Sequence, residues 1–380
     1  MLFEPKPRTR TDYMKKGENK FAFFDVAAKG RFEPYRRLVN EWVSLMPEDA
    51  RKEAVDQLKG GDPFQYDAGI VELMIYRVLV GLGHDVVVHP TVNGHCPDFL
   101  VRNKDGSPAA YVEVTTTNPS RESVAAQNRR NDLINGLNKI DLPAGWIGSV
   151  FGVHSGASAP SPKAFRNAIE AWSRSVGPDR SQDFSKVFVV GDWKVDFRLH
   201  PANSADFKPE RSVSVEYTGL KDMKPAVAVR QALERKGDRY GIRNVPFLLA
   251  VADGREEIHD DGFDFLLEAL YGDEQIVGTR NGFYQDRANN GYFGQIGDPR
   301  HSHVSAVLLL PSTNFMNLYQ EHQQPTFIVN PDARCPLPRE FLPLNHYEFD
   351  AARGRFERRA GRPMTELLGM PSEEWWDIGD

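Results

Sequence analysis

The stretch PDFLVRNKDGSPAAYVEVTTT, residues 97–117, decides the fold of this chain. Two apolar runs flank residues 103–108, where Asn, Asp, Gly, Ser and Pro are the residue types that form tight turns. The pattern predicts a β-hairpin whose turn is centred on Asp105 and Gly106. Paired residues then have numbers that sum to 211, so Asp98 lies opposite Glu113.

These two opposed carboxylates indicate a metal site. Side chains directly opposite each other in a strand pair have Cβ atoms about 4.5–5.5 Å apart, and like charges at that separation repel. A divalent cation removes the repulsion, because Mg²⁺ and similar hard cations take carboxylate oxygens as ligands. The inference depends on the register, since a slip of one residue would move the side chains to opposite faces.

Side-chain alternation along the second strand gives each face a different character. Glu113, Thr115 and Thr117 share one face, whereas Val112 and Val114 share the other. Two interpretations remain open for the polar face. It lines a cleft above an apolar core, or it is an ordinary solvated surface.

A third carboxylate lies upstream, in AGIVELMIYRVLVGL, residues 68–82. This stretch is apolar almost all round and predicts a buried helix that stops near Gly81. Burial of Glu72 in such a helix costs several kcal/mol unless the carboxylate is paired or binds a metal. It therefore forms an ion pair with Arg77 or another basic side chain, or it faces the same cation as Asp98 and Glu113.

The order of these features resembles the PD-(D/E)XK nuclease superfamily. A helix with Glu72 and a strand precede Pro97-Asp98. After fourteen intervening residues come Glu113-Val114-Thr115 and a further helix. The family includes restriction endonucleases, Holliday-junction resolvases and phage-defence enzymes, and the resemblance covers residues 65 to 155. It implies an α/β fold with a restriction-endonuclease-like central mixed sheet flanked by helices.

The resemblance also implies a ligand set and a reaction. Asp98 and Glu113 would be metal ligands, the Val114 carbonyl a third, and Glu72 a ligand directly or through water. The expected cofactor is Mg²⁺ or Mn²⁺. The expected reaction is hydrolysis of a phosphodiester bond by metal-activated water.

Thr115 departs from the family pattern, because family members usually carry a lysine at that position. The lysine positions or activates the attacking water and stabilises charge on the phosphate. In some members the basic group comes from a nearby helix, or a neutral polar side chain replaces it. Here Gln127 and Arg130 follow on the next helix and are expected to stand in partly for the lysine, while Arg129 and Arg130 are expected to contact nucleic acid.

Further basic and histidine residues offer weaker signals. The predicted helix over residues 224–240 carries Arg235 and Lys236, which either belong to a solvated face or follow a nucleic-acid backbone. His89 and His95 flank the first hairpin strand and are candidates for contact with substrate phosphate.

His301 and His303 share a strand face, but two histidines without a third ligand make a poor zinc site. The only cysteines are Cys96 and Cys335, which disfavours disulfides and a structural zinc site and favours a cytoplasmic location. No apolar run approaches the roughly 18 residues that a membrane helix needs.

The bulk composition excludes a strongly basic nucleic-acid coat protein, because the net charge is -6 over 380 residues. We expect an N-terminal arm and helix in residues 1–62, a restriction-endonuclease-like core in 63–275 and an irregular C-terminal extension in 276–380. The last part has dense Gly, Asn and Pro and a few strands laid onto the main sheet.

The function expected from this reading is Mg²⁺-dependent endonuclease cleavage of DNA, with RNA as a second substrate class and phage defence as the context. A homodimer would suit cleavage of both strands, and any motor or other defence-system component would be a separate partner. The alternative is a catalytically silent module on the same fold that binds nucleic acid or protein.

Overall fold

The computed structural model describes residues 1–117, 121–176, 181–202, 204, 213–215, 225–242, 244–254, 262–279, 282–338, 341 and 343–372. Its helices are α1 Lys20–Val26, α2 Phe32–Leu45, α3 Glu48–Lys59, α4 Pro63–Gly81, α5 Arg121–Leu137, α6 Pro162–Ser175, α7 Pro225–Gly237, α8 Gly262–Tyr271 and α9 Met364–Leu367. Two short 3₁₀ helices span Phe315–Tyr319 and Glu321–Gln323. None of the helices in these ranges is long and apolar enough to cross a membrane.

The strands form one large sheet and three smaller ones. Their bounds are β1 Asp85–Val88, β2 Phe99–Arg102, β3 Pro108–Thr116, β4 Trp146–His154, β5 Phe184–Val190, β6 Trp193–Pro201, β7 Val213–Val215, β8 Phe247–Ala252, β9 Glu274–Thr279, β10 Gly282–Arg287, β11 Gly294–Gln295, β12 Asp298–Pro299, β13 Ala306–Leu310, β14 Thr326–Val329, β15 His346–Asp350 and β16 Arg355–Arg359.

The chain divides into two compact units. The first unit comprises Met1–Asp12, Asn19–Asn118 and Met223–Asp380, and the second comprises Tyr13–Glu18 and Pro119–Asp222. The second unit is thus inserted into the sequence of the first, after β3 and before α7.

The first unit is built on an eight-stranded mixed sheet with the order β1-β2-β3-β8-β13-β14-β15-β16. The inner pairs β3/β8 and β8/β13 are parallel, and β1, β2 and β3 form an antiparallel meander. The inner strand β8 is buried along its whole length. A continuous apolar run without alternation is typical of a parallel strand that helices cover on both faces. This architecture confirms the predicted α/β class with a large mixed sheet flanked by helices.

Helices pack on both faces of this sheet. On one face Val112 and Val114 of β3 join a core with residues of α2 and α4. On the other face Leu249 and Val251 of β8 pack with α7 and α8. The predicted apolar face of β3 is therefore confirmed, but the polar face is neither solvated nor an open cleft. Thr115 and Thr117 are buried on it, because α7 and α8 cover that side of the sheet.

Helix α4 begins earlier than the predicted stretch. Asp62 caps it, since its side chain accepts a hydrogen bond from the Phe64 N–H at 2.8 Å, and Pro63 occupies the first helical position. The helix ends at Gly81 as expected, and Gly83 beyond it has a φ of 83°, a left-handed conformation that favours glycine.

The C-terminal part is more regular than the predicted irregular extension. Strand β13 is fully buried and pairs with β8 inside the sheet, while β14 to β16 extend the sheet to its edge. The residues on both sides of the predicted boundaries at 62 and 275 lie in the first unit. The first unit is interrupted in the sequence by the second unit and not at these two positions. The density of Gly, Asn and Pro reflects the connections, and the predicted addition of strands from this part to the main sheet is confirmed.

The second unit contains a four-stranded sheet with the order β5-β6-β4-β7 and the helices α5 and α6. Its core joins Leu133 and Leu137 of α5 with Phe165 of α6 and with Trp193 and Phe197 of β6. The hairpin of β5 and β6 has its turn at Gly191, whose φ of 60° is left-handed. This small α/β unit therefore has its own hydrophobic core.

Candidate functional site

The predicted hairpin register is confirmed. Its Cα partners are, in order, Phe99 with Val112, Leu100 with Tyr111 and Val101 with Ala110. Each pair of numbers sums to 211, and a bulge shifts the register only beyond Val101. Just before β2, the Val114 N–H donates to Asp98 Oδ2 at 2.6 Å, and the Asp98 N–H donates to Glu113 Oε2 at 3.2 Å. Asp98 and Glu113 therefore meet at the start of β2, as the sequence predicted.

Glu113 is 0% exposed and faces α7. Its Oε1 accepts a hydrogen bond from the Lys236 ammonium, and the two groups form an ion pair. Burial raises the pKa of the Tyr240 hydroxyl far above its ordinary value, and the hydrogen bond from this hydroxyl to Glu113 raises it further. Lys236, the Tyr240 hydroxyl and the Asp98 N–H thus satisfy a buried carboxylate that would otherwise cost several kcal/mol.

Lys236 is the residue whose role the sequence reading missed. We expected it to contact nucleic acid from a solvent-facing side of its helix, yet it is partly buried against Glu113. The helical spacing carried the signal, because Lys236 follows Ala232 by four residues and Leu233 by three, and both of these are buried. Arg235 lies off this face and is exposed.

Glu72 approaches the same site from α4. Burial raises the pKa of Glu72 to about 7, and the Glu113 carboxylate adds to the increase, while His89, Gln57 and Lys236 oppose it. The alternative ion pair with Arg77 is not formed, since the Arg77 guanidinium lies against Gly81 and Gly369.

Asp98 is the second carboxyl group that is costly to ionise. Burial raises the pKa of Asp98 to about 8, and the Glu113 and Glu72 carboxylates raise it further than the Val114 N–H and Lys236 lower it. We call Glu72, Asp98, Glu113 and Lys236 the carboxylate cluster. With all groups ionised it holds three negative charges and one positive charge, a balance of -2 that a divalent cation would neutralise.

The donor set of the carboxylate cluster fits a hard cation such as Mg²⁺ or Mn²⁺, because its donors are carboxylate oxygens. The Val114 carbonyl fits as well, since the N–H and C=O of one strand residue point to the same edge and the Val114 N–H points to Asp98. The three carboxylates are, however, not gathered tightly. Among the described residues, the one trio of metal-binding side chains whose ligand atoms lie within 4.8 Å of one another is Asp238, His301 and His303.

A groove of about 750 Å³ opens beside Glu72 and Asp98. Its lining residues are Asp49, Lys52, Glu53, Asp56, Gln57, Gly60, Asp62, Gln65, Glu72, His89 and Asp98. Six carboxyl groups and one lysine make the groove acidic. It therefore attracts cations and repels anions such as phosphate.

The two histidines near the hairpin have different surroundings. His89 lines the groove, and its ring Nδ1 lies 3.1 Å from Glu53 Oε2. The backbone N–H of His89 donates a hydrogen bond to the backbone carbonyl of Asp98. The His95 ring instead packs edge-on against Tyr240. Contact of either ring with a substrate phosphate stays a prediction.

The remaining predicted site residues are Thr115, Gln127, Arg129 and Arg130. Thr115 is buried on β3 and is paired with Val251. Arg129 and Arg130 lie on α5 in the second unit, and the side chain of Gln127 lies outside the described residues. Their expected roles beside the carboxylates stay predictions.

Comparison with known proteins does not supply an identity. No protein-family model, no curated protein and no solved structure matches the chain. The function must therefore be inferred from the geometry of the site.

Proposed function

We propose that this chain is a metal-dependent nuclease with a restriction-endonuclease-like fold. The observation that carries the proposal is the contact between Lys236 and the buried Glu113, directly opposite Asp98. An aspartate, a glutamate and a lysine therefore meet in space, although position 115 carries no lysine.

The order of elements around the cluster supports the proposal. Helix α4 carries Glu72, the meander β1-β2-β3 carries Asp98 and Glu113, and α7 and the parallel strand β8 complete the core. The second unit lies in the sequence between β3 and α7. In this reading α7 is the helix that follows β3 in the family, and Lys236 is the basic group that has moved to a nearby helix.

Each group has a separate task in the proposed hydrolysis. Glu72, Asp98, Glu113 and the Val114 carbonyl would hold Mg²⁺ or Mn²⁺, which supplies Lewis-acid activation of water and charge neutralisation when bound. Lys236 places a positive charge beside Glu113, where it can orient water and stabilise charge on the phosphate. Tyr240 holds the Glu113 carboxylate in place by donating a hydrogen bond to it.

DNA is the proposed substrate, with RNA as the second class. The acidic groove holds no arginine, and Lys236 does not line it. Basic side chains outside the groove, such as the exposed Arg235, would therefore be the contacts for the nucleic-acid backbone. Action as a homodimer, or with a separate motor protein in phage defence, belongs to the same proposal.

The Lys236–Glu113 ion pair also favours a second candidate function. A lysine that already neutralises Glu113 can replace the metal, which would leave a catalytically silent module that binds nucleic acid or protein. The raised pKa values of Glu72 and Asp98 speak against this candidate, since a purely structural cluster gains nothing from two further carboxyl groups.

Cleavage assays test the proposal. Supercoiled, linear and single-stranded DNA and RNA are incubated with the protein in Mg²⁺ or Mn²⁺, and wild type is compared with Asp98→Ala, Glu113→Ala and the isosteric Glu113→Gln. Asp105→Ala is the matched control, because it removes an exposed carboxylate from the loop of the same hairpin.

We expect cleavage by wild type and Asp105→Ala, and none by the cluster variants or in EDTA. Equal cleavage by wild type and Glu113→Gln would exclude this site. Binding of a substrate without cleavage of any of them, in both metals, would establish the silent module instead.

A further inference from the structure

Three metal-binding side chains converge beyond the end of α7. Asp238 Oδ1 lies 3.3 Å from His301 Nδ1 and 3.3 Å from His303 Nε2. All three ligand atoms lie within 4.8 Å of one another. The sequence offers no third ligand next to His301 and His303. In the structure Asp238 takes this position, although it comes more than sixty positions earlier in the sequence.

We propose that this histidine trio, Asp238, His301 and His303, binds a divalent transition metal, with Zn²⁺ as the best fit. Ligand atoms about 2.0–2.1 Å from a zinc ion at the tetrahedral angle are about 3.3 Å apart. Two of the separations in the trio have this value. Two of the three ligands are nitrogen atoms, which disfavours Mg²⁺ because it prefers oxygen ligands.

The ring of His301 is held in the orientation that the site requires. It stacks on Tyr292 with the ring centres 4.1 Å apart and an angle of 4° between the planes. Its φ of 46° is left-handed and unusual for a residue other than glycine. Such backbone strain is typical of positions that the surrounding structure fixes for a function.

Tyr292 also fixes the other side of the site. A Cβ atom on Gly237 would lie 1.8 Å from the Tyr292 hydroxyl oxygen, so only glycine allows Tyr292 to pack against the end of α7. This packing sets the distance between Asp238, the next residue, and the ring of His301.

His303 must lose one hydrogen bond to bind a metal. Its Nε2 lies 3.0 Å from the Gly237 carbonyl and donates to it when that nitrogen carries the proton. Metal binding requires the neutral ring to carry its proton on Nδ1, so that the Nε2 lone pair is free. Burial lowers the pKa of His303, which favours the neutral ring that a metal needs.

The charges around the trio are mixed. Burial raises the pKa of the Tyr292 hydroxyl, and the nearby Asp238 and Glu234 carboxylates raise it further. Arg334 lies close enough to help lower the pKa of His303. The side chain of Asp238 is 64% exposed, so solvent can complete the coordination as a fourth ligand. Three protein ligands and a water form an open zinc site.

A metal in the trio would join α7 to the loop before β13. Asp238 is two residues from Lys236 and Tyr240, both of which contact Glu113. The metal would therefore hold the end of the helix that positions these two side chains. This inference does not depend on the nuclease proposal, because it requires only that the trio binds the ion.

The experiment titrates the metal-stripped full chain with Zn²⁺ by calorimetry and with Co²⁺, whose visible d–d absorption reports nitrogen ligands. His301→Ala, His303→Ala and Asp238→Asn test the trio, and Glu113→Gln tests whether the carboxylate cluster takes the ion. His200→Ala is the matched control, because His200 Nδ1 lies 3.0 Å from Asp183 Oδ2 without a second histidine in the pair.

We expect a tight Zn²⁺ site, a Co²⁺ spectrum with nitrogen ligands and a higher melting temperature for wild type, His200→Ala and Glu113→Gln. The histidine variants should lose the Co²⁺ spectrum, and Asp238→Asn should bind Zn²⁺ at least about tenfold more weakly. Failure of wild type to bind either ion would overturn the proposal. Unchanged binding in both histidine variants would do the same, and their melting curves without metal show that they fold.

Discussion

The carboxylate cluster and the histidine trio each take a residue from the end of α7 or just beyond it, and they differ in how their charges are balanced. In the cluster, the lysine of α7 already contacts Glu113, while Glu72 and Asp98 are costly to ionise. In the trio, Asp238 Oδ1 lies 3.3 Å from a ring nitrogen of His301 and 3.3 Å from one of His303, so the three ligand atoms of the trio are close together.

This difference separates two kinds of metal site. A compact set with two nitrogens suits a borderline ion held for structure, whereas a wider set of oxygens with a cation beside it suits a hard ion that works on a phosphate. Lys236 and Asp238 are only two residues apart. In the two proposals, one helix end supplies a positive charge to one site and a metal ligand to the other.

The largest expected effect comes from Lys236→Met, which removes the cation and keeps the length of the side chain. We expect kcat for DNA cleavage to fall by at least about 10²-fold, because removal of one group that stabilises transition-state charge has effects of this size. Arg235→Ala is the control, since it removes a neighbouring exposed charge and should weaken substrate binding with little change in kcat.

Zinc binding sharpens the same test. Lys236→Met should still give the Co²⁺ spectrum of the histidine trio, which shows that the end of α7 has kept its structure. Equal loss of kcat in Lys236→Met and Arg235→Ala would show that the two residues act only through general electrostatic attraction, and Lys236 would then have no special role.

How well the sequence predicted the contacts of the carboxylate cluster depended on how far apart in the sequence the two partners of each contact lie. The hairpin that pairs Asp98 with Glu113 is local, so the turn residues 103–108 were enough to set the register. Glu72 was found because a carboxylate in an apolar helix has to be compensated.

Contacts between distant parts of the chain could not be predicted in the same way. Lys236 is separated from Glu113 by 123 positions, and the second unit lies between them in the sequence. The pair His301 and His303 was visible, but its third ligand was not, because Asp238 comes from another element. The covering of the polar face of β3 was missed for the same reason, since α7 supplies it.

The second-largest expected effect is the pH dependence of metal binding by the carboxylate cluster. Glu72, with a pKa of about 7, and Asp98, with a pKa of about 8, must lose their protons to act as ligands, so metal binding releases protons. We expect the Kd for Mn²⁺ to fall by up to about tenfold per pH unit and per proton between roughly pH 6 and pH 8.

Calorimetry of Mn²⁺ binding in two buffers with different ionisation enthalpies would measure both the Kd and the protons released. Glu72→Gln should release one proton fewer than wild type and show a shallower pH dependence. A Kd that is constant over this range in wild type would show that metal binding displaces no proton from either carboxyl group.

A smaller effect is expected on the stability of the metal-free protein. The folded-state pKa of Asp98 is raised from 3.8 to about 8, so the protonated form favours folding. This stabilisation is complete below the ordinary pKa of the carboxyl group and is lost as the pH rises through about 8. Asp98→Asn keeps an acceptor for the Val114 N–H and carries no charge.

We therefore expect Asp98→Asn to melt a few degrees above wild type at about pH 8 without metal, and about equally at roughly pH 4. Thermal denaturation in EDTA at the two pH values measures this difference. A variant that melts below wild type at the higher pH would mean that the Asp98 carboxylate is stabilised in the fold, and the predicted conflict of charges would be wrong.

The smallest expected effect separates ring stacking from the hydroxyl group at the histidine trio. In the part of the chain that the structure describes, the Tyr292 hydroxyl is buried without a hydrogen-bond partner, while its ring stacks on His301. Tyr292→Phe keeps the stack and removes a polar group that costs about 1–3 kcal/mol when buried unpaired. It should bind Zn²⁺ with a Kd within about twofold of wild type and melt no lower.

Tyr292→Leu removes the stack as well, so the His301 ring can rotate away from Asp238. Orientation of a ligand by its neighbours contributes about 10–100-fold to metal affinity when the partner is a hydrogen-bonding group. A stacked ring should contribute less, and we expect a several-fold weaker Zn²⁺ affinity in the leucine variant. If both variants bind Zn²⁺ as wild type does, the left-handed backbone of His301 must hold the ring without help from Tyr292, and the compactness of the trio is then a property of the loop alone.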